Sequence, residues 1–435
     1  MEFATYEDAV SYIHGMPRLR PNNGRAELRA LLAELGHPEK RGKFVHVTGT
    51  NGKGSVTNAI AHILLAGGLH VGMFTSPFIN RFNERIQIDG EPIADETLRL
   101  LMGKIATAIA KLQRATPGLI IKEFEVDTAL GLLAFAEADV DVAVIEVGIG
   151  GEHDSTNVIM PEVAVIANVA LDHVELLGGS LESIAREKSG IIKQNVPVVT
   201  GPLVPVAAKI MAAKAAAQGG HLDAFGTSFS GKGRQNARTF GVKFDYEDVD
   251  GPITKLDFPL LGGYQIENAS VAVRAARVFA ERSQMELTDQ EIRTGLAKAT
   301  WPARLEKISD DPAIVIDGGH NPDGLGHALK AVTSLHAEHL TIIAGILGDK
   351  ALPEMLRQLR ATRAEVLLTV VPDNPRAATT EDYAKAGNKD WPVLDWHEAL
   401  AKALTENQDG IILIIGSLYL ASAVRQELLD SNQPD

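Results

Sequence analysis

The chain has 435 residues, enough for about two or three domains with sizeable cores, and carries a formal net charge of −14. That balance, with a sequence pI near 5.4, speaks against nonspecific binding to nucleic acid or to a membrane surface, so an anionic substrate must be held by local cations and backbone amides. Cysteine is absent, which excludes disulfides, zinc thiolates and cysteine nucleophiles and fits a reducing compartment.

The first eight residues include Glu2, Glu7 and Asp8 and do not read as a signal peptide. No stretch offers the ~20 apolar residues that cross a bilayer, and a cytoplasmic location is expected. An amphipathic start is followed by a helix over 26–35, ended by Gly36 and Pro38. Phe44, Val45 and Val47 read as a short buried strand. Gly49, Gly52 and Gly54 then loosen the backbone, and Val56, Ala59, Ile60, Ile63 and Leu64 recur at helical spacing. A strand is predicted over 71–75, running into Ser76-Pro77 and an aromatic, arginine-bearing loop over 78–85. The spacing next predicts a hairpin turning at Asp89-Gly90, helices over 95–114 and 126–138, and a strand over 142–147 that is apolar except for Glu146. Strands over 163–167 and 197–200 and helices over 182–193 and 206–217 continue the alternation, before extended segments over 240–260 turn at Asp250-Gly251. Helices over 265–282 and from the capping box at Thr288 lead to Thr300-Trp301-Pro302, where a new unit can begin. Beyond it, strands over 314–316, 341–346, 365–371 and 411–415 with helices between them predict a second, smaller parallel sheet. The expected fold is α/β, with domains over 1–299 and 300–435.

The stretch 44–55 carries the strongest chemical signal. Strand, glycine loop and helix start make a cradle in which backbone N–H groups converge on an anion and the helix adds roughly half a positive charge. Lys53 would reach outer phosphates, and Ser55 would offer its hydroxyl to a phosphate oxygen or a metal. The spacing departs from G-x-x-x-x-G-K-[ST], because Gly54 separates Lys53 from Ser55. Glu146 ends an apolar strand, where it can hold Mg²⁺ on ATP phosphates or cap Gly150-Gly151. His173 stands at the end of a neighbouring strand, as a metal ligand or a structural histidine. Lys188, by pattern alone, belongs to a solvated helix face. Asp317-Gly-Gly-His-Asn-Pro ends a strand and opens a helix, as a binding loop or as an ordinary polar turn. Arg304, just past the linker, is placed by pattern in neither role.

Together these motifs resemble the folylpolyglutamate synthases of the wider Mur ligase family over nearly the whole chain. The resemblance rests on His-Val-Thr-Gly-Thr-Asn-Gly-Lys-Gly-Ser at 46–55, Thr-Ser-Pro-Phe at 75–78, Asn-Glu-Arg-Ile at 83–86 and Glu-Val-Gly-Ile-Gly-Gly at 146–151. It continues in Asp-Ser-Thr-Asn at 154–157, Asp172-His173, Glu-Lys-Ser-Gly-Ile at 187–191, Trp-Pro-Ala-Arg at 301–304 and Asp-Gly-Gly-His-Asn-Pro at 317–322. Phe78-Ile-Asn-Arg and Gly416-Ser-Leu-Tyr look like the lactobacillus type in particular.

The resemblance implies a two-domain Mur ligase-like fold, with an N-terminal P-loop parallel-sheet domain and a smaller Rossmann-like C-terminal domain. It implies that Gly52, Lys53, Gly54 and Ser55 hold ATP phosphates, that Ser76, Glu146 and His173 bind Mg²⁺, and that Asn268, Arg304 and Asp317 contact the nucleotide. Lys53, Lys188 and His173 become the catalytic candidates, with Lys188 carbamylated, contrary to the solvated-face reading. The loop after Ser76 would help form the folate site. The implied activity is ATP-dependent addition of L-glutamate to the γ-carboxyl of a reduced folate, tetrahydrofolate or 5,10-methylenetetrahydrofolate, by a monomer. Alternatives are a bifunctional dihydrofolate synthase/folylpolyglutamate synthase, another Mur-type amide ligase, or a regulatory nucleotide-binding switch. Departures from the family pattern are Glu152-His153 for Arg-Leu, Tyr264 for His, Ala351 for Asp, and Ser189 and Gly319 for alanines.

Overall fold

A computed structural model describes residues 2–18, 25–236 and 240–430. It resolves into two compact units. The first holds 1–232, 245–256 and 267–299, and the second holds 233–244, 257–266 and 300–435. A single cut near 300 therefore misses two short segments that fold with the second unit.

In the first unit eight strands form one sheet. They are β1 (Lys43–Thr48), β2 (Val71–Phe74), β3 (Ile86–Ile88), β4 (Glu91–Pro92), β5 (Val142–Glu146), β6 (Val163–Ile166), β7 (Val198–Thr200) and β8 (Leu222–Ala224). Their order is β4-β3-β2-β5-β1-β6-β7-β8. The pairings among β2, β5, β1, β6, β7 and β8 are parallel, and at one edge β3 pairs antiparallel with both β2 and β4. Near-continuous Val, Ile and Ala in β5 and β6, and the burial of Phe44 to Thr48 in β1, suit strands covered on both faces. One core gathers the helices Asp95–Ala115 and Glu123–Ala138, and another the helices Leu181–Ser189 and Pro205–Ala217. Strand order reverses at β1, which lies between β5 and β6, and the crevice beyond the carboxyl ends at such a point is where open α/β sheets bind ligands.

Further along lie β9 (Ser230–Asn236), β10 (Gly241–Asp248) and β11 (Gly251–Phe258), in the order β11-β10-β9. The second unit has its own six-stranded sheet of β12 (Glu306–Asp310), β13 (Ala313–Ile316), β14 (Leu340–Gly345), β15 (Glu365–Thr369), β16 (Val393–Leu394) and β17 (Ile411–Ile415). The order is β12-β13-β17-β14-β15-β16, with β12 antiparallel and the rest parallel.

Most predicted elements are present, and the differences have local causes. The helix expected from 126 begins at Glu123, because the Glu125 carboxylate accepts the Lys122 N–H at 2.9 Å and caps the first turn. The helix expected over 182–193 closes at Ser189, where Gly190 donates its N–H to Glu187 and Lys188 carbonyls. Among the described residues no helix is long and apolar enough to cross a membrane.

Candidate active site

The glycine loop leaves β1 at Thr48, and the helix Lys53–Ala66 starts directly behind it. Gly52 has φ +78°, and a Cβ there would fall 2.6 Å from Asn268 Oδ1. Only glycine satisfies both demands, the left-handed backbone and the close approach of the helix Tyr264–Ser283. Gly52→Ala is expected to raise the KM for ATP at least about tenfold, since the strained conformation alone costs about 1–3 kcal/mol. Steady-state titration with ATP, beside a melting curve, checks this.

Asn168, past the end of β6, fixes the loop from the other side. Its Oδ1 accepts the N–H groups of Thr50 and Asn51 at 3.0 and 2.9 Å. Sequence pattern does not reveal this residue, because a lone Asn after a strand reads as a turn former. Lys53 folds back on the rim, its Nζ donating to the carbonyls of Gly49 and Thr50 at 3.1 and 3.2 Å. Ser55 is buried at the helix start, and no acid stands in the first turn to compete with an anion.

Lys188 is 3 % exposed, which overturns the reading of it as part of a solvated face. Burial, followed by the nearby Lys53 charge, lowers its pKa to about 7, against the opposing fields of Asp172, Glu187 and Asp154. Much of this amine is neutral at physiological pH. The helix carrying it lies hard against the loop after β5: a Cβ at Gly151 would stand 2.8 Å from the Glu187 carbonyl. Glu187 in turn accepts the His153 N–H at 2.9 Å and pairs with its Nδ1 at 2.9 Å, so the Glu152-His153 departure sits one residue from Lys188.

Glu146 ends β5 almost fully buried, and its Oε2 accepts the Ser76 N–H at 3.1 Å. β2 and β5 are neighbours, which is why residues 70 apart in sequence meet. Val47 of β1 pairs in register with Glu146, so the carboxylate stands beside the start of the glycine loop. His173 has φ +47° and a side chain 41 % exposed, with Asp172 Oδ2 3.9 Å from its Nε2. Among the described residues no three His, Asp or Glu side chains stand at metal-holding distance; the expected set Ser76, Glu146 and His173 contributes only two such groups. The adjacent Ser76 and the buried Glu146 carboxylate do fit Mg²⁺, which takes few protein oxygens and retains water.

Within the second unit Asp317 ends β13. Its Oδ1 accepts the Gly319 N–H at 2.7 Å and its Oδ2 the Leu305 N–H at 2.9 Å, tying both sides of Arg304 and the 317–319 loop together. Burial raises the Asp317 pKa against the Arg304 charge. Asn321 caps the following helix Pro322–Thr333 through the Gly324 N–H at 2.7 Å, so part of Asp-Gly-Gly-His-Asn-Pro is structural punctuation. Tyr264, the departure from His, packs edge-on to His327 with ring centroids 5.0 Å apart, and its hydroxyl pKa is raised by burial and by Asp317.

A parallel sheet with a glycine loop at its switch point, a buried lysine within reach of the Lys53 charge and a second α/β unit are the parts of an ATP-type ligase. Residues 93–276 match the Mur ligase middle domain and residues 303–418 the Mur ligase, glutamate ligase domain; the chain belongs to the Mur ligase family and is a ligase. Within that family it is 50% identical over 424 residues to folylpolyglutamate synthase of Lacticaseibacillus casei, covering 98% of this chain and 99% of that one. It is 34% identical to the dihydrofolate synthase/folylpolyglutamate synthase of Bacillus subtilis (strain 168), over 98% of this chain and 100% of the other. A solved FPGS-AMPPCP-folate complex superimposes with a TM-score of 0.89 at 48% identity, over 98% of this chain and 100% of that chain.

Proposed function

We propose that the chain is an ATP- and Mg²⁺-dependent folylpolyglutamate synthase, joining the amine of L-glutamate to the γ-carboxyl of a reduced folate such as tetrahydrofolate or 5,10-methylenetetrahydrofolate. The observation that carries this reading is the similarity over 98% of the chain to a folylpolyglutamate synthase and to a folate- and nucleotide-bound relative, with which the buried Lys188, within reach of the Lys53 charge, agrees.

In this reading the acceptor γ-carboxylate attacks the γ-phosphorus of ATP, the bond to the β,γ-bridging oxygen breaks, and ADP leaves an acyl phosphate. Gly52, Gly54 and Ser55 offer backbone N–H groups and a hydroxyl to the phosphates, and Lys53 leaves its carbonyl contacts to neutralise the moving charge. Asn268, Arg304 and Asp317 are the further candidates for contact with the nucleotide. Ser76, Glu146 and His173 would hold Mg²⁺, which when bound supplies charge neutralisation on phosphate oxygens. The neutral Lys188 amine attacks carbon dioxide, forms an N–C bond and loses a proton, giving an N-carboxylate within reach of the Lys53 charge. The amine of glutamate then attacks the acyl carbon, and phosphate and a proton are released. Positioning and charge account for the catalysis, with no protein atom bonded to substrate.

A second reading, that the enzyme also ligates glutamate to dihydropteroate, is favoured by the 34% identity to a relative named for both activities. One experiment addresses both: ADP release with Mg-ATP and L-glutamate, without acceptor, with tetrahydrofolate, or with dihydropteroate, and mass analysis of the product. Release that requires tetrahydrofolate, with a product one glutamate heavier, is the expected result. Release that ignores both acceptors would point to a nucleotide switch or a different Mur-type ligase. The enzyme works in the cytoplasm as a monomer, for which sedimentation at 46.6 kDa is the check.

A further inference from the structure

The loop that follows Ser76 is built around two residues. Glu84 accepts the N–H groups of Ile79, Asn80 and Arg81 at 2.6 to 3.1 Å, which curls the loop. Arg85 closes it: its carbonyl accepts the Thr75 N–H at 2.9 Å, and its guanidinium lies over the rings of Phe78 and Phe82 at 5.1 and 5.5 Å. Behind Arg85, on the helix Glu123–Ala138, stands Asp127, whose Oδ2 is 3.9 Å from Arg85 Nε.

The Asp127 side chain is 2 % exposed and that of Arg85 12 %. Asp127 Oδ1 and Arg85 Nε and Nη1 are buried with no hydrogen-bond partner among the described residues. Two opposite charges that face each other out of water need one another, since either left alone is an uncompensated buried charge. A helix facing a hydrophobic core would take an apolar residue at 127 for packing alone, so the carboxylate answers to the arginine.

We propose that Asp127 is a positioning residue for the acceptor substrate: it holds Arg85, and through Arg85 the loop over 77–85, in the geometry that receives the folate. This rests on the folate ligase reading for the identity of the acceptor and for the part the 77–85 loop plays in its site, and on geometry for the Asp127–Arg85 coupling. The groups whose charges reach Asp127 are Arg85 from the loop, Glu123 from its own helix and His14 from the helix Tyr6–His14. Glu123 is itself engaged by His14 at 2.9 Å and Arg18 at 2.8 Å. Burial raises the Asp127 pKa to about 7, with Arg85 opposing. Above that pH the carboxylate is charged and holds Arg85; below it the proton removes the attraction, and acceptor binding weakens.

The test is Asp127→Asn, which preserves shape and removes the charge, compared with wild type between pH 6 and 8.5. At pH 8 the variant is expected to raise the acceptor KM about tenfold while the KM for ATP stays within about twofold. The wild-type acceptor KM is expected to climb toward the variant's as the pH falls through 7, and the variant's profile to be flat. Arg85→Met is expected to raise the acceptor KM by the same factor, and the double variant to add nothing further; it also removes the unpaired cation if the single variant folds poorly. Hydrogen exchange over 77–85, corrected for intrinsic rate, is expected to quicken in Asp127→Asn at pH 8 with the rest of the first unit unchanged. A wild-type acceptor KM and pH profile in Asp127→Asn, or faster exchange throughout the unit, would overturn the proposal. If wild type shows no acceptor-dependent turnover, the folate reading has failed, and the exchange arm still decides whether Asp127 holds the loop.

Discussion

Lys53→Ala is expected to lower kcat/KM for ligation by about a thousandfold or more, roughly 4 kcal/mol of transition-state stabilisation. The side chain is the one cation in the first turn of a helix that holds no acid there, and at rest it donates to the carbonyls of Gly49 and Thr50. Removing it leaves those two carbonyls to water at the rim of the loop. In the proposed reaction the charge that builds on the transferring phosphoryl group then loses a point countercharge. Single-turnover measurement of ADP formation, with a melting curve to confirm folding, separates this from a folding defect. A loss of less than tenfold would place the phosphates elsewhere.

Lys188→Ala carries the second large effect, a fall in kcat of about a hundredfold or more, with partial recovery on adding formate or acetate. The amine is buried, and its pKa is lowered to about 7 by that burial and by Lys53. It is therefore protonated below pH 7 and neutral above. Carbon dioxide adds only to the neutral amine, so the proposed modification is expected to deepen as pH rises through 7 and to fade as it falls. Wild-type activity is expected to follow the same course, to drop when carbon dioxide is stripped from the buffer, and to return with bicarbonate. Intact-protein NMR with ¹³C-bicarbonate supplies a readout independent of turnover. No new carbamate signal in wild type, or full activity in carbonate-free buffer, would count against the modification.

Both residues were legible in the sequence to different degrees, for physical reasons. Lys53 sits in a run where glycines, a preceding apolar strand and a following helical period all agree, and local sequence alone specifies a cradle. Lys188 lies in Arg-Glu-Lys-Ser-Gly, a polar pattern that the helical period assigns to solvent; its burial comes from packing against Gly150-Gly151, residues distant in sequence, and only the family resemblance pointed to it. Asn168 and Asp127 were not found at all. One looks like a turn residue after a strand, and the other like a stray polar residue in a buried helix whose partner Arg85 lies 42 positions away. The large parallel sheets were readable because the central stretches of strands such as β5, β6 and β17 are apolar. β9, with Ser-Gly-Lys-Gly-Arg-Gln-Asn, and β12, a half-exposed antiparallel edge, bury too little to leave an alternating or apolar signature. The division of the chain near Trp301-Pro302 was visible as a break in helical pattern. The two short segments, 233–244 and 257–266, that fold with the second unit carry no such mark, since membership of a unit is set by tertiary contacts.

The most direct measurement follows the acceptor's oxygen. Tetrahydrofolate labelled with ¹⁸O in its γ-carboxylate is turned over with Mg-ATP and L-glutamate, and the released phosphate is analysed by mass. Attack of the carboxylate on the γ-phosphorus, followed by attack of the glutamate amine on the acyl carbon, sends one labelled oxygen into each phosphate, with ADP and a glutamylated product formed in equal amounts. Product appearing together with unlabelled phosphate would contradict the acyl phosphate and, with it, the account of how the cradle at Gly52–Ser55 is used.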